Sequence, residues 1–238
     1  MANMFEPDPP VRALDLLKHP TRGETTLYLL RHGQTSANIN HQLVGVTDVP
    51  LDPLGERQAR WLAERMRGVR LDALLSSPLA RARATATEIA RISGHEPEIV
   101  AGLSEMHFGD AEGLTIEQVI MQFPEIAPLL DDIDDAAFAW PGGDSRSGFH
   151  QRVLATFLGI LERYERQHVA VVCHGGVIGS LYAQIEGGSP NDYARYAVAN
   201  CSVTHIVVTP DHTEVHLWND VGHLKEVQAT PLHLRPVR

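Results

Sequence analysis

The chain has 238 residues, 43% of them hydrophobic, and a formal net charge of −10. That length and apolar content suffice for one sizeable core. The acidic balance excludes a broad nucleic-acid or anionic-membrane surface and leaves room only for a local cationic pocket. No apolar run reaches membrane-spanning length, and the opening "MANMFEPDPPVRALDLLKHP" is not what a signal peptide requires. Two cysteines, Cys173 and Cys201, make no disulfide framework, so a reducing cytoplasm is expected.

Residues 1–24 read as an N-terminal extension, with a short helix expected over 11–17 and Pro20 as its stop. Residues 25–238 read as a single domain. "LYLL" (27–30) is the first strand. Residues 53–66 form an amphipathic helix, with Ala59, Leu62, Ala63 and Met66 at helical spacing. "LDALLSS" (71–77) is a second buried strand, and Pro78 opens a helix running to about Ile92. "PEIVAGL" (97–103) is a third strand. A less regular cap or insertion follows at about 103–145, with the acidic cluster Asp131, Asp132, Asp134 and Asp135. A helix over 147–166 leads into the strand "HVAVVC" (168–173), then His174-Gly175-Gly176 and another helix. "CSVTHIVV" and "TEVHLW" close the sheet, and a surface-bound tail is expected after Asn219. Strands alternating with helices predict an α/β three-layer sandwich: a mainly parallel central sheet covered by helices on both faces.

In such sheets ligands sit beyond the carboxyl ends of the strands, near helix N-termini. Three strands deliver polar groups there: Arg31-His32-Gly33, Ser76-Ser77-Pro78-Leu79-Ala80-Arg81, and His174-Gly175-Gly176. Alone, Arg81 reads as a solvated helix residue and His174 as a capped structural histidine. Together at one edge they point to an anion site. The chemistry they suit is phosphoryl transfer through a covalent histidine, whose neutral imidazole attacks phosphorus and splits hydrolysis into two displacements. Arg31 and Arg81 can fork onto phosphoryl oxygens and disfavour the imidazolium. Gly33 is expected to let the backbone pass close to the ligand.

"LLRHGQTSAN", "SSPLARARATA", "LSEMHFGDAEG", "PGGDS" and "VVCHGGVI", in that order, resemble the histidine phosphatase superfamily, the phosphoglycerate-mutase-like proteins, from about Leu27 to His216. The resemblance implies that fold, and it implies hydrolysis of a small phosphomonoester through a phosphohistidine, with no metal and no cofactor. It makes His32 the nucleophile and Glu105 the proton donor to the leaving oxygen. Arg31, Arg81 and His174 become the rest of the catalytic pocket, with Gln34, Thr35, Asn38 and Gly175 among its phosphate-binding residues. Asp110 and Glu112 rival Glu105 as the acid. The aromatic that often precedes the Glu-Gly pair is Ala111 here, a change expected to widen the pocket.

A phosphoglycerate-mutase-type phosphomutase is the alternative within the family. It needs extra cations in the middle insertion, yet no Lys or Arg lies between Arg91 and Arg146. A catalytically silent phosphate- or phosphoprotein-binding module would be expected to lose His32 or the acid. A dinucleotide-binding enzyme would need glycine where His174 stands. His205, His212, His216 and His223 read as strand and loop residues rather than metal ligands, because no carboxylate or cysteine completes a set at suitable spacing. Phe138 and Trp140 read equally as core or as a pocket wall. Expected partners are the phosphomonoester and, as an option, a second copy in a homodimer, with no nucleic acid and no membrane.

Overall fold

The computed structural model describes residues 23–131, 138–188 and 190–224. The helix expected over 11–17, the aspartates Asp132, Asp134 and Asp135, and most of the expected tail lie outside these residues. The strands are β1 (Thr25–Arg31), β2 (Ala73–Ser76), β3 (Glu98–Ile99), β4 (His168–Cys173), β5 (Val203–Val208) and β6 (Thr213–Asp220). They form one sheet in the order β3-β2-β4-β1-β5-β6. The first four in that order pair parallel, while β5 runs antiparallel to both β1 and β6.

The near-continuous apolar runs of β1 and β4 are explained by burial on both faces. Leu27 and Leu29 enter a core with Phe149 and Phe157 of helix α6 (Arg146–Arg163) and Val177 and Leu181 of α7 (Gly175–Ile185). Leu30 enters the opposite core, with Leu62 and Met66 of α2 (Pro53–Met66) and Ala82 and Ile89 of α3 (Ala80–Ser93). The three layers follow. The start of α2 is fixed locally, with Pro53 as first residue and the Asp52 carboxylate accepting the Gly55 N–H.

The strand expected over 97–103 is only two residues long. Val100 still donates to the Ser76 carbonyl, but residues Ala101–Leu103 then coil into a 3₁₀ turn. Gly102 explains the departure: a Cβ there would stand 2.0 Å from Thr156 Oγ1, so the chain leaves the sheet edge to lie against α6. The 103–145 region carries the short helices α4 (Ile116–Gln122) and α5 (Ala127–Asp131), and Leu103, Met106, Val119, Ile126, Phe138 and Trp140 enter the α6/α7 core. Phe138 and Trp140 are therefore core residues, and the Trp140 indole N–H points at Met106 Sδ 3.2 Å away.

Insertion of β4 between β1 and β2 sets their carboxyl ends side by side. The ladder continues past them: the His32 N–H donates to the Cys173 carbonyl and the Ser77 N–H to that of Val172. Gly33 is needed for a different contact from the one the sequence suggests. A Cβ on it would stand 2.5 Å from the carbonyl oxygen of Gly55, and a Cβ on Gly55 would stand 2.0 Å from that of Gln34. The two glycines let the first turn of α2 press on the backbone behind the histidine.

Gly55→Ala should therefore destabilise the protein by about 1–3 kcal/mol, as overpacking does, and lower Tm by several degrees. Gly159→Ala, on an exposed stretch of α6 with nothing within 4 Å of the added carbon, should hold or raise Tm through helix propensity. Thermal denaturation of the two variants checks the contrast.

Candidate active site

His32 follows the last residue of β1 and is 4% exposed. Its Nδ1 lies 2.7 Å from the carbonyl oxygen of its neighbour Gly33. A carbonyl only accepts, so Nδ1 carries the proton and Nε2 holds the free lone pair. Burial, then the charges of Arg81 and Arg31, hold the imidazole pKa well below its usual value. The ring is therefore held neutral, with Nε2 unprotonated.

Arg31 is the last residue of β1 and 2% exposed. One guanidinium nitrogen donates to the Val198 carbonyl, while Nε is buried without a protein partner. Burial lowers its pKa to about 10, partly offset by the Glu105 carboxylate. Arg81, in the first turn of α3, donates from Nη1 to the Thr47 carbonyl at 3.1 Å and from Nη2 to those of Gly45 at 2.6 Å and Val44 at 3.4 Å. Backbone carbonyls thus offset part of the desolvation cost of both cations without neutralising them.

His174 caps the start of α7, with its ring centroid 5.1 Å from that of His32. Its Nε2 is 2.7 Å from the Ser77 hydroxyl, and its Nδ1 is buried without a protein partner. Burial and the charge of Arg81 also keep this imidazole neutral. Thr35 and Asn38 form a capping box at the short helix α1 (Ser36–Ile39) and line the pocket. Asn200 ties this turn to His32, its amide donating to the His32 carbonyl at 3.0 Å and to Asn38 Oδ1 at 3.1 Å. Gly175 lines the pocket, but Gln34 does not, and His174 is fully buried behind the residues that do. The Gln34 side-chain amide donates to Asp52 at 3.0 Å, which fastens it to the N-terminus of α2 instead.

Glu105 lines the pocket with Arg31, His32 and Arg81. Its two carboxylate oxygens accept the Gly176 and Met106 N–H groups, both at 2.9 Å. A Cβ on Gly176 would stand 2.3 Å from Glu105 Oε1, so the second glycine after His174 is what admits the carboxylate. Its rivals lie elsewhere. Glu112 is engaged by the backbone N–H groups of Gly45, Val46, Thr47 and Phe108, and neither it nor Asp110 lines the pocket. Ala111 is fully buried in the α6/α7 core, so its small side chain does not widen the pocket. The remaining wall is Gln42, Leu43, Val44, Met106, Phe108 and Tyr193.

Val198, Asn200 and Tyr193 carry no motif that the sequence singles out, and the His174-Gly175-Gly176 motif does not announce that Gly176 makes room for Glu105. Cys173 and Cys201 are buried, and burial pushes both thiols up, out of the reactive range. Among the late histidines, His212 and His216 both bond Glu214, so a carboxylate does stand between them. Even so, no group of three or more His, Cys, Asp or Glu among the described residues is placed to hold a metal ion. No helix among the described residues is long and apolar enough to cross a membrane.

A neutral imidazole with a free Nε2, sharing its pocket with two buried guanidiniums at the carboxyl edge of an α/β sheet, suits phosphoryl transfer. Residues 27–221 match the histidine phosphatase superfamily (branch 1), and the chain belongs to that family. The Bacillus subtilis protein named "uncharacterized phosphatase PhoE" is 29% identical over 202 residues, 84% of this chain and 97% of that one. The Arabidopsis thaliana phosphoglycerate mutase-like protein 4 is 31% identical over 204 residues, 84% of this chain and 87% of that one. The crystal structure of phosphoserine phosphatase from Entamoeba histolytica with 3-phosphoglyceric acid superposes with a TM-score of 0.76 at 28% identity, covering 84% of this chain and 99% of that one.

The depressed imidazoles link stability to pH. His32 and His174 lie well below their usual value, and burial lowers His150 to about 4. Each binds its proton less readily folded than unfolded. Their contribution is full above the unfolded pKa of about 6.5 and is lost as pH falls from there toward the folded values. Urea unfolding should therefore show stability falling from pH 7 to 5.5, a window in which exposed carboxylates hardly titrate. His150→Gln should make that decline shallower, and a flat profile would contradict the assigned protonation states.

Proposed function

We propose that this chain hydrolyses phosphomonoesters through a phosphohistidine on His32, with Glu105 as the proton donor. The observation that carries the reading is the hydrogen bond from His32 Nδ1 to the Gly33 carbonyl, which leaves Nε2 as the attacking atom. Nε2 attacks phosphorus, the bond to the ester oxygen breaks, and Glu105 delivers a proton to that oxygen. Water then attacks the phosphohistidine, the P–N bond breaks, and Glu105 takes the water proton. Inorganic phosphate leaves and His32 returns to its neutral state. Arg31, Arg81 and His174 hold the equatorial oxygens. Arg31 lines the pocket and its buried Nε has no protein partner, which supports it as a ligand contact. Thr35, Asn38 and Gly175 close the phosphate side, whereas Gln34 acts on the fold of α2.

Hydrolysis is favoured over a mutase reaction because Arg31 and Arg81 are the only Lys or Arg among the described residues lining the pocket. A mutase must hold a second anion while the first phosphoryl group moves, and this wall offers apolar side chains, Gln42 and Tyr193 instead. The substrates we propose are small monophosphates with neutral, hydroxylic or apolar leaving groups. We read residues 25–238 as one catalytic domain capped by 103–145, and we place it in the cytoplasm on the strength of its two buried free cysteines.

His32→Ala should lose at least about three orders of magnitude in turnover. Glu105→Gln should cut turnover of an alkyl phosphate by roughly 10²–10⁴-fold, the usual worth of a general acid. It should cut that of p-nitrophenyl phosphate far less, because a stabilised phenolate leaves without a proton. The comparison holds where phosphorylation of His32 limits both esters, which burst kinetics establishes. An equal loss on both would remove Glu105 from the acid role. Efficient interconversion of 3- and 2-phosphoglycerate would make the chain a mutase.

A further inference from the structure

The structure assigns Glu112 to a positioning role: its carboxylate holds the 44–48 loop in the shape that aims Arg81 at the phosphoryl group. The inference rests on the reading of Arg81 as a phosphoryl ligand.

A carboxylate has about four lone-pair sites, and this one spends them on backbone. Glu112 Oε1 accepts from Gly45 at 3.1 Å, Val46 at 3.1 Å and Phe108 at 3.0 Å; Oε2 accepts from Gly45 at 3.0 Å and Thr47 at 3.2 Å. Three successive N–H groups thus converge on one anion, which is how a backbone concavity binds a charge. Glycine is required at its centre: a Cβ on Gly45 would stand 1.7 Å from the Met106 carbonyl oxygen and 2.6 Å from Glu112 Oε1.

With the N–H groups of this loop gathered on Glu112, carbonyls of the same stretch are presented to the other side. Those of Val44, Gly45 and Thr47 are the acceptors for Arg81. The next residue completes the link, since Asp48 accepts the Ala80 N–H at 2.6 Å in the first turn of α3. Loop and helix start are tied at two adjacent residues, Ala80 and Arg81. The Glu112 charge also acts directly on the Arg81 guanidinium and favours its charged form. Loop residues 46 and 47 are exposed, so without the carboxylate water would compete for their N–H groups and the carbonyl grip would have no fixed shape.

Glu112→Gln keeps the volume but turns one oxygen into an N–H₂ that faces donors. Vanadate affinity, measured by calorimetry without turnover, should fall about tenfold, a coupling of ordinary size for residues in one network. Because the Arg81 charge helps hold His32 neutral, ¹⁵N-histidine spectra should show the His32 titration midpoint moving up. In an Arg81→Gln background the further substitution Glu112→Gln should change neither readout. Additive losses in the double variant would reduce Glu112 to a general stabiliser and overturn the inference. So would wild-type vanadate affinity in the single variant. If Arg81→Gln alone leaves vanadate binding intact, the anion-site reading itself fails; if it weakens binding while Glu112→Gln does not, only the positioning role fails. Should Glu112→Gln not fold, Glu112→Asp keeps the charge but withdraws it by one methylene. It should give a smaller shift in the same direction, and unchanged affinity there would equally overturn the role.

Discussion

Two buried guanidiniums beside a neutral imidazole are the constraint on which the rest of this structure depends. Removing a cation from water costs several kcal/mol unless hydrogen bonds compensate. Here the compensation comes from backbone carbonyls, Val198 for Arg31 and three from the 44–47 stretch for Arg81. A carbonyl satisfies a donor without cancelling its charge. The positive field therefore survives burial, and it acts on whatever shares the site. Burial, and after it this field, hold the His32 and His174 imidazoles well below their usual pKa. Arg31 Nε is also left without a protein partner, which suits a phosphoryl group whose charge spreads over three oxygens in the transition state.

Holding that field requires rigid supports from several parts of the chain. Parallel pairing aligns the ends of β1, β2 and β4, and ladder bonds at His32 and Ser77 carry the alignment one residue further. Glycines at 33, 55 and 176 permit approaches that a side chain would block. The loop before β5 adds the Val198 carbonyl and the Asn200 amide from behind. The site is a sheet edge closed by loops, and Glu105 sits over the N-terminus of α7, where Gly176 makes room for it.

How much of this could be read beforehand follows from the range of the contacts involved. The helix over Pro53–Met66 was legible because its signals are local: an Asp52 cap, a proline at the first position and apolar residues at helical spacing. The strand-end placement of Arg31, His32, Arg81 and His174 was legible because apolar runs and their terminators lie in sequence. The third strand was overestimated, because the Gly102–Thr156 contact that ends it lies outside any local window. Gln34 fell in the right motif yet serves Asp52, since the choice between two polar neighbours is made by tertiary packing. Val198 meets Arg31 across 167 residues, and no sequence signal announces a backbone acceptor. The resemblance pointed to Glu105 over Asp110 and Glu112; in the structure Glu105 lines the pocket with His32, whereas Glu112 is engaged by backbone donors outside it.

The central claim is that His32 Nε2, freed by the Nδ1–H to Gly33 bond, becomes the phosphorylated atom. The most direct measurement is rapid quenching of the enzyme with a phosphoryl donor in alkali, followed by ³¹P spectroscopy and peptide mapping. The account predicts an acid-labile, base-stable adduct on His32, with phosphorus bonded to Nε2, that is absent from His32→Ala. An adduct on Nδ1, on His174, or persisting in His32→Ala would contradict it.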